Sequence, residues 1–237
     1  MERKPRPASL KAPGLLQVAA GGLPEVARIQ RLQALHERMA ACRLCLDAGH
    51  AIFPRAITCS HIGAQIMVIG QAPGITEKDA GRPFNAGSGK RLFAWLAGAG
   101  IDETWFRATQ AFMAVTRCYP GRAAGGSGDR VPSPAEQRLC RPYLEEELAL
   151  VNPRLLLPVG KLAIGLFYPP GAKLEEIVGA EIQVDGRWVI PLPHPSGASR
   201  WHQSAENRAR VAQAVTLIAR RVKDLAGGPG QPPSAPV

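Results

Sequence analysis

The run Ile66-Met67-Val68-Ile69-Gly70-Gln71-Ala72-Pro73-Gly74 constrains this chain more than any other stretch. Four apolar residues flanked by polar or glycine neighbours predict a short buried strand. Gly70 closes the run, and Pro73 and Gly74 impose a turn. In open α/β sheets, ligands bind at the loops leaving the carboxyl ends of strands. Gly70, Ala72 and Gly74 carry almost no side chain, so a flat or anionic group could lie directly on their backbone. On these residues alone, an ordinary strand-to-helix connection explains the stretch equally well. Neither G-x-x-x-x-G-K-[ST] nor G-x-G-x-x-G is present, so a nucleotide-cofactor loop has weak support.

The remaining pattern repeats the strand-then-helix order. Further strands are predicted at Ala111–Thr116, at Leu155–Val159 before Gly160, and in a segment ending at Leu192. Val26, Ile29, Leu32, Leu35 and Met39 recur at helical steps and predict a helix from Pro24 or Glu25. Leu92, Phe93 and Leu96 mark one face of a helix near Ser88–Ala99. Another should start at Pro134 or Ala135, with Ser133 as N-cap and Glu136 and Gln137 in its first turn. A short helix over Lys161–Phe167 and a long one over about Ser204–Leu225 complete the set; Val211, Val215, Ile218 and Val222 line one side of the latter. The alternation predicts an α/β fold of three αβα layers, with a central four-stranded, mainly parallel sheet. One domain is expected over residues 24–225, between a flexible arm (1–23) and a flexible Pro/Gly tail (226–237).

Charge narrows the partner. Lys and Arg outnumber Asp and Glu by 29 to 19, a net charge of +10. That excess favours a polyanion, nucleic acid before membrane, since no basic amphipathic helix carries bulky apolar residues opposite its charges. Solubility is the plainer explanation, because much of the excess sits in the N-terminal arm and the last helix. No apolar run approaches a membrane span, and the first residues lack a secretory pattern. A cytoplasmic, monomeric protein is the expectation.

The cysteines carry the first strong chemical signal. Cys42 and Cys45 form a C-x-x-C pair at a helix end, while Cys118 and Cys140 flank a Gly-rich loop far away in sequence. Four thiolates suit zinc or an iron–sulfur cluster, and spacing alone leaves the two level. A redox C-x-x-C would leave Cys118 and Cys140 as unrelated core residues. Cys59 reads as a small buried apolar residue.

Taken together, C-x-x-C, V-I-G-Q-A-P-G-x-x-E-x-D-x-G-R-P-F, R-C-Y-P, C-R-P-Y-L and H-P-S occur in an order that resembles the uracil-DNA glycosylase superfamily. The likeness runs from about Cys42 to Arg200 and is strongest to the iron–sulfur branch called family 4. It implies a [4Fe-4S] cluster on Cys42, Cys45, Cys118 and Cys140, structural rather than redox-active. It also implies that a base is flipped out of DNA and cut from its sugar. In that reading His194 stabilises charge on the departing base. Phe84 stacks on the base in a pocket formed with Gly70, Ala72, Pro73 and Gly74. Ser196, Gly197, Ser199 and Arg200 enter the minor groove or reach a phosphate.

Departures from the family pattern bear on substrate. Gln71 stands where the family loop G-E-A-P-G has its glutamate; in a catalytic role its amide can orient a water or hydrogen-bond the base but cannot act as a general base. Glu77, which matches an acidic family position, and Asp79 are the nearest carboxylates. Ala114 falls where the family commonly has the Asn that reads uracil, leaving Asn85 or a backbone group to substitute. The loop Gly121–Ser133 is long for family 4 and sits where a covalently cross-linking branch carries a nucleophilic His. No His lies between His61 and His194 here, so Arg122 and Arg130 are expected to clamp phosphates instead. The expected function is a monofunctional glycosylase acting on DNA containing uracil. The alternative is a non-catalytic or weakly catalytic module that binds damaged or abasic DNA.

Overall fold

The apolar run at Ile66 forms β1 (Ile66–Gly70), with all five residues buried. In the computed structural model, which describes residues 23–125, 128–196, 199 and 201–226, β1 pairs in parallel with β2 (Ala111–Ala114) and β3 (Leu155–Pro158). The expected arm and tail lie outside the described residues except for Leu23 and Ala226, as do Gly197 and Arg200. Strand β3 pairs in parallel with β5 (Arg187–Val189), and a bridge from Val159 to Leu192 extends that contact. All four parallel strands therefore end along one edge, which delivers Gly70, Ala114, Gly160 and Pro193 to one place.

The sheet has five strands, in the order β2-β1-β3-β5-β4, rather than the expected four. The addition is β4 (Ile182–Val184), antiparallel to β5. Asp185 and Gly186 join the two strands with φ of 48° and 77°. Positive φ at both turn residues is what an Asp-Gly hairpin supplies, so the turn is signalled in the sequence by Asp185-Gly186.

Helices flank the sheet. Helix α1 (Glu25–Ala40) buries Leu32, Leu35 and Met39, whereas Val26 and Ile29 stay exposed, so the predicted stripe enters the core only from Leu32 onward. Polar ties lay α1 along α6 (Pro134–Val151). Arg28 donates to the Leu150 and Val151 carbonyls at the end of α6, and His36 Nε2 lies 3.0 Å from the buried Glu147. The Arg28 contacts satisfy carbonyls that a helix end leaves unpaired. Helix α6 opens with the predicted cap: the Ser133 hydroxyl accepts from the Glu136 N–H at 3.2 Å, and Glu136 accepts from the Ser133 N–H at 2.6 Å.

Five shorter helices are α2 (Leu44–Asp47), α3 (Ile75–Ala80), α5 (Glu103–Thr109), α7 (Lys161–Ile164) and α8 (Leu174–Ile177). Helix α4 (Gly87–Ala97) buries Leu92, Phe93 and Leu96 as predicted and packs against α9 (Ala205–Ala226). Several arginines of α9 are structural. Arg221 pairs with Glu181 at 2.6 Å and lies 3.3 Å over the Trp188 ring, and Arg220 also reaches Glu181, which ties α9 to the β4–β5 hairpin. Among the described residues no helix is long and apolar enough to cross a membrane.

Candidate active site

Where the strands end, Gly70, Gln71, Ala72, Pro73, Gly74, Glu77, Phe84, Ala114, Arg130, His194 and Ser196 line one cleft of about 1550 Å³, counted to its open mouth. The first loop and the H-P-S segment, 120 residues apart in sequence, thus face the same space. Asn85 is not in the cleft wall; its side-chain oxygen accepts from Arg82 at 2.7 and 3.1 Å.

His194 follows Leu192 out of the sheet and rests on Gly160. A Cβ at Gly160 would lie 3.2 Å from the imidazole, and its φ of 82° also favours glycine. The Ser196 N–H donates to His194 Nδ1 at 3.3 Å. A neutral ring must then carry its proton on Nε2, free to donate. Desolvation by the cleft walls pushes the imidazole pKa below its ordinary 6.5, which favours that neutral form. Arg91 Nη1 holds the following turn through the Pro195 carbonyl at 2.7 Å. Ser199 donates its N–H back to the Ser196 carbonyl at 3.1 Å.

Phe84 is buried in the cleft wall beside Gly70 with φ of 49°, a rare backbone state for an aromatic residue. Three neighbours hold it there. Arg107 donates to the Pro83 and Phe84 carbonyls at 2.9 and 2.8 Å, with its guanidinium over the Phe93 and Phe112 rings. Gly89 lets α4 approach the Phe84 carbonyl, since a Cβ there would sit 1.9 Å from that oxygen. Gly70 gives room to the ring itself, with Cζ 3.3 Å from where a Cβ would lie. No sequence pattern singles out Arg107.

Glu77 braces this wall. Its carboxylate accepts from the Gly74 N–H at 2.6 Å and from the backbone of Phe84 and Asn85. Burial pushes its pKa up, against the pull of those three N–H groups, and the nearby Asp129 charge adds to the rise. Asp79 is exposed and pairs with Lys78 at 2.8 Å.

The Gly-rich loop is a short hairpin. Arg122 and Asp129 pair through their backbones as an antiparallel β-bridge, the Ala123 N–H donates to the Gly128 carbonyl at 3.0 Å, and the Arg130 N–H donates to the Gly121 carbonyl at 2.9 Å. Arg130, expected on a phosphate, is instead committed to Glu136 through two hydrogen bonds of 2.5 and 2.7 Å. Arg122 is exposed.

Cys42, Cys45, Cys118 and Cys140 line a second cavity, walled by Met39, Leu44, Ile52, Ala56 and Leu139. Burial pushes Cys45 up to about 11 and Cys118 up to about 12, and the neighbouring thiols add to both shifts. The Arg117 charge and the Arg117 N–H pull the other way at Cys140. Arg117 is itself buried and paired with Glu147. Among the described residues no three His, Cys, Asp or Glu side chains converge on a point that would hold one metal ion. Cys59 lies apart from that cavity, partly buried against the core.

The model of the uracil DNA glycosylase superfamily matches residues 58–217. The chain belongs to the uracil-DNA glycosylase superfamily. It is 27% identical over 194 residues to the type-4 uracil-DNA glycosylase of Thermotoga maritima, covering 79% of this chain and 93% of that protein. It is 29% identical over 134 residues to the type-4 enzyme of Pyrobaculum aerophilum, covering 56% of this chain and 62% of that protein. For the type-4 enzyme of Archaeoglobus fulgidus the figures are 29% over 142 residues, with 56% of this chain and 66% of that protein covered. Within this superfamily chain the two departures noted in the sequence, Gln71 and Ala114, both face the cleft.

Proposed function

We propose that the cleft excises uracil from DNA by hydrolysis of the N-glycosidic bond, leaving an abasic site. One observation carries the reading: a donor-competent His194 and a strained, braced Phe84 line the same cleft as the glycine loop at the strand ends. Breaking the bond leaves a base anion, and the Nε2–H of a neutral imidazole is suited to receive the charge growing on its oxygen. Phe84 offers a flat apolar face for a base removed from the stack. Gly70, Ala72 and Gly74 allow the base edge to reach backbone groups. Ser196 and Ser199 stand on the rim of the His194 turn, where a DNA backbone would pass. The relatives named as type-4 uracil-DNA glycosylases support the same reading.

Four soft donors line one cavity, beside a buried Arg117 whose charge and N–H favour the thiolate at Cys140, and such a donor set suits a metal centre. Cys42, Cys45, Cys118 and Cys140 would hold a [4Fe-4S] cluster there. Bound, it would cross-link the α1–α2 turn, α2, α6 and the base of the Gly-rich hairpin and take no part in the chemistry.

Gln71 and Ala114 on the cleft wall favour one second reading, a module that binds abasic DNA with little turnover. An oligonucleotide carrying a single uracil, incubated with the protein and then treated with alkali, separates the two. Strand scission at the uracil position is expected. Tight binding to abasic DNA without scission of the uracil strand would leave only the second reading.

A further inference from the structure

If uracil is excised here, a carboxylate would speed the step by positioning and deprotonating water, and the first loop lacks one. Gln71 cannot take a proton, and Glu77 is spent on three backbone N–H groups. A third candidate enters the cleft from the Gly-rich hairpin. Asp129 lines the same cleft as Gln71, Phe84 and His194. The hydroxyl of Tyr119, a residue only 1% exposed, donates to Asp129 Oδ1 at 3.0 Å. Asp129 Oδ2 takes no hydrogen bond among the described residues, and it lies so near the first loop that a Cβ at Gly74 would be 2.9 Å from it. Gly74 thus makes room for this carboxylate. The hairpin that carries it is closed by backbone pairing of Arg122 with Asp129 and anchored by Arg130 on Glu136.

We propose that Asp129 is the water-activating carboxylate of this enzyme, taking from the hairpin the part that Gln71 cannot play. The assignment rests on the glycosylase reading above. As the bond between C1′ and the base nitrogen breaks, its electron pair leaves with the base, whose oxygen faces His194. Water then forms the new bond to C1′, and its proton passes to Asp129 Oδ2. Tyr119 fixes the other carboxylate oxygen, so the free one is the one presented to the cleft. Solvent afterwards returns a proton to the base anion.

The test uses the full chain and a duplex with one uracil opposite guanine, in single-turnover reactions quenched with alkali. Affinity for a duplex bearing a stable abasic analogue is measured beside it. Asp129→Asn should cut the rate by about a hundredfold or more, the usual worth of a positioned acid–base group. Its affinity for the abasic duplex should stay within about threefold, far less than the rate loss. Adding Gln71→Glu to Asp129→Asn restores a carboxylate to the same cleft wall and should recover at least about tenfold of the lost rate. The assignment falls if Asp129→Asn turns over like wild type, if rate and abasic affinity drop together, or if the double variant is no faster than Asp129→Asn. A wild-type protein inert on uracil DNA overturns the glycosylase reading itself, and that outcome is visible before any variant is made.

Discussion

Arg130 and Glu136 are joined at two points, Nη1 to Oε2 at 2.7 Å and Nη2 to Oε1 at 2.5 Å, and the pair spans the wall between the two cavities. Arg130 lines the cleft while Glu136 lines the thiol cavity. The same guanidinium also donates to the Ala51 carbonyl at 3.0 Å, and the same carboxylate closes the cap of α6. Whatever orders the thiol cavity therefore also orders the hairpin over the cleft.

Glu136→Gln should lower stability by about 2–3 kcal/mol. This is somewhat below the cost of breaking a fully buried pair, because Arg130 is partly exposed. Urea unfolding at neutral pH measures it. The pair should also set acid sensitivity. Arg130 first, then the Ser133 backbone and hydroxyl, hold the Glu136 carboxyl down at about 2 instead of 4.5. A depressed carboxyl adds stability above its unfolded value and loses it as pH falls through the folded one. Wild type should lose that stability between pH 4.5 and about 2, and Glu136→Gln should be flatter across the same window.

His194→Ala should reduce turnover on uracil DNA by about a hundredfold or more, as for loss of a donor aimed at developing charge. Abasic-DNA affinity should change little, because the departing base is absent from that ligand. With the imidazole pKa held below 6.5, the neutral ring persists into mild acid, so the wild-type rate should keep its plateau below pH 6.5. A rate that already falls on going down through pH 7 would contradict the neutral-donor role.

Gly89→Ala tests how Phe84 is held. The added methyl would meet the Phe84 carbonyl oxygen at 1.9 Å and its carbon at 2.6 Å, and both are backbone atoms that cannot swing aside. Overpacking of this kind costs roughly 1–3 kcal/mol. Relief requires Phe84 to leave its φ of 49°, so turnover should fall further than stability. Thermal unfolding and single-turnover rates on one preparation compare the two. A fully active, fully stable Gly89→Ala protein would mean that the close approach does not matter.

Much of this arrangement is legible in the sequence because it rests on local rules. Ser133, Pro134 and Glu136 announce the start of α6, and the run from Ile66 announces β1 and the loop after it. The β4–β5 hairpin escaped because its strands are three residues each, too short for alternation to register, although Asp185-Gly186 marks the turn. Arg107, Gly89 and Asp129 escaped for another reason. Their roles depend on contacts with Phe84, Tyr119 and Gly74, which only the folded sheet brings near. Arg130 shows the converse: its charge in a Gly-rich loop resembles a phosphate clamp until Glu136 is seen six residues away in the chain and directly opposite in space.

Protein purified without oxygen should be brown, with broad visible absorbance and about four irons per chain, as four cysteine ligands imply. Cys140→Ser should bleach it. Because Cys140 shares its cavity with Glu136, the bleached protein should also show a more protease-sensitive Gly121–Arg130 hairpin. Colourless wild type with stoichiometric zinc would refute the cluster.

The two arginines of the hairpin should part company on DNA. Arg122 is exposed, and its guanidinium makes no hydrogen bond among the described residues, so it is available to a phosphate. Arg122→Ala should weaken binding to abasic DNA modestly and reduce the salt slope by about one, the signature of one lost phosphate contact. Stability should not change. Arg130→Ala removes the partner of a buried carboxylate, so its main effect should be a loss of stability of about 2–3 kcal/mol with the salt slope unaltered. With no His or Cys among the described residues of the loop between Tyr119 and Arg130, product release should be slow only through such contacts, without a covalent adduct. Salt titrations of both variants, with a denaturing gel of the wild-type reaction, test all three statements. A salt slope that drops for Arg130→Ala and not for Arg122→Ala would reverse the roles, and a detergent-stable protein–DNA band would require a nucleophile elsewhere in the cleft.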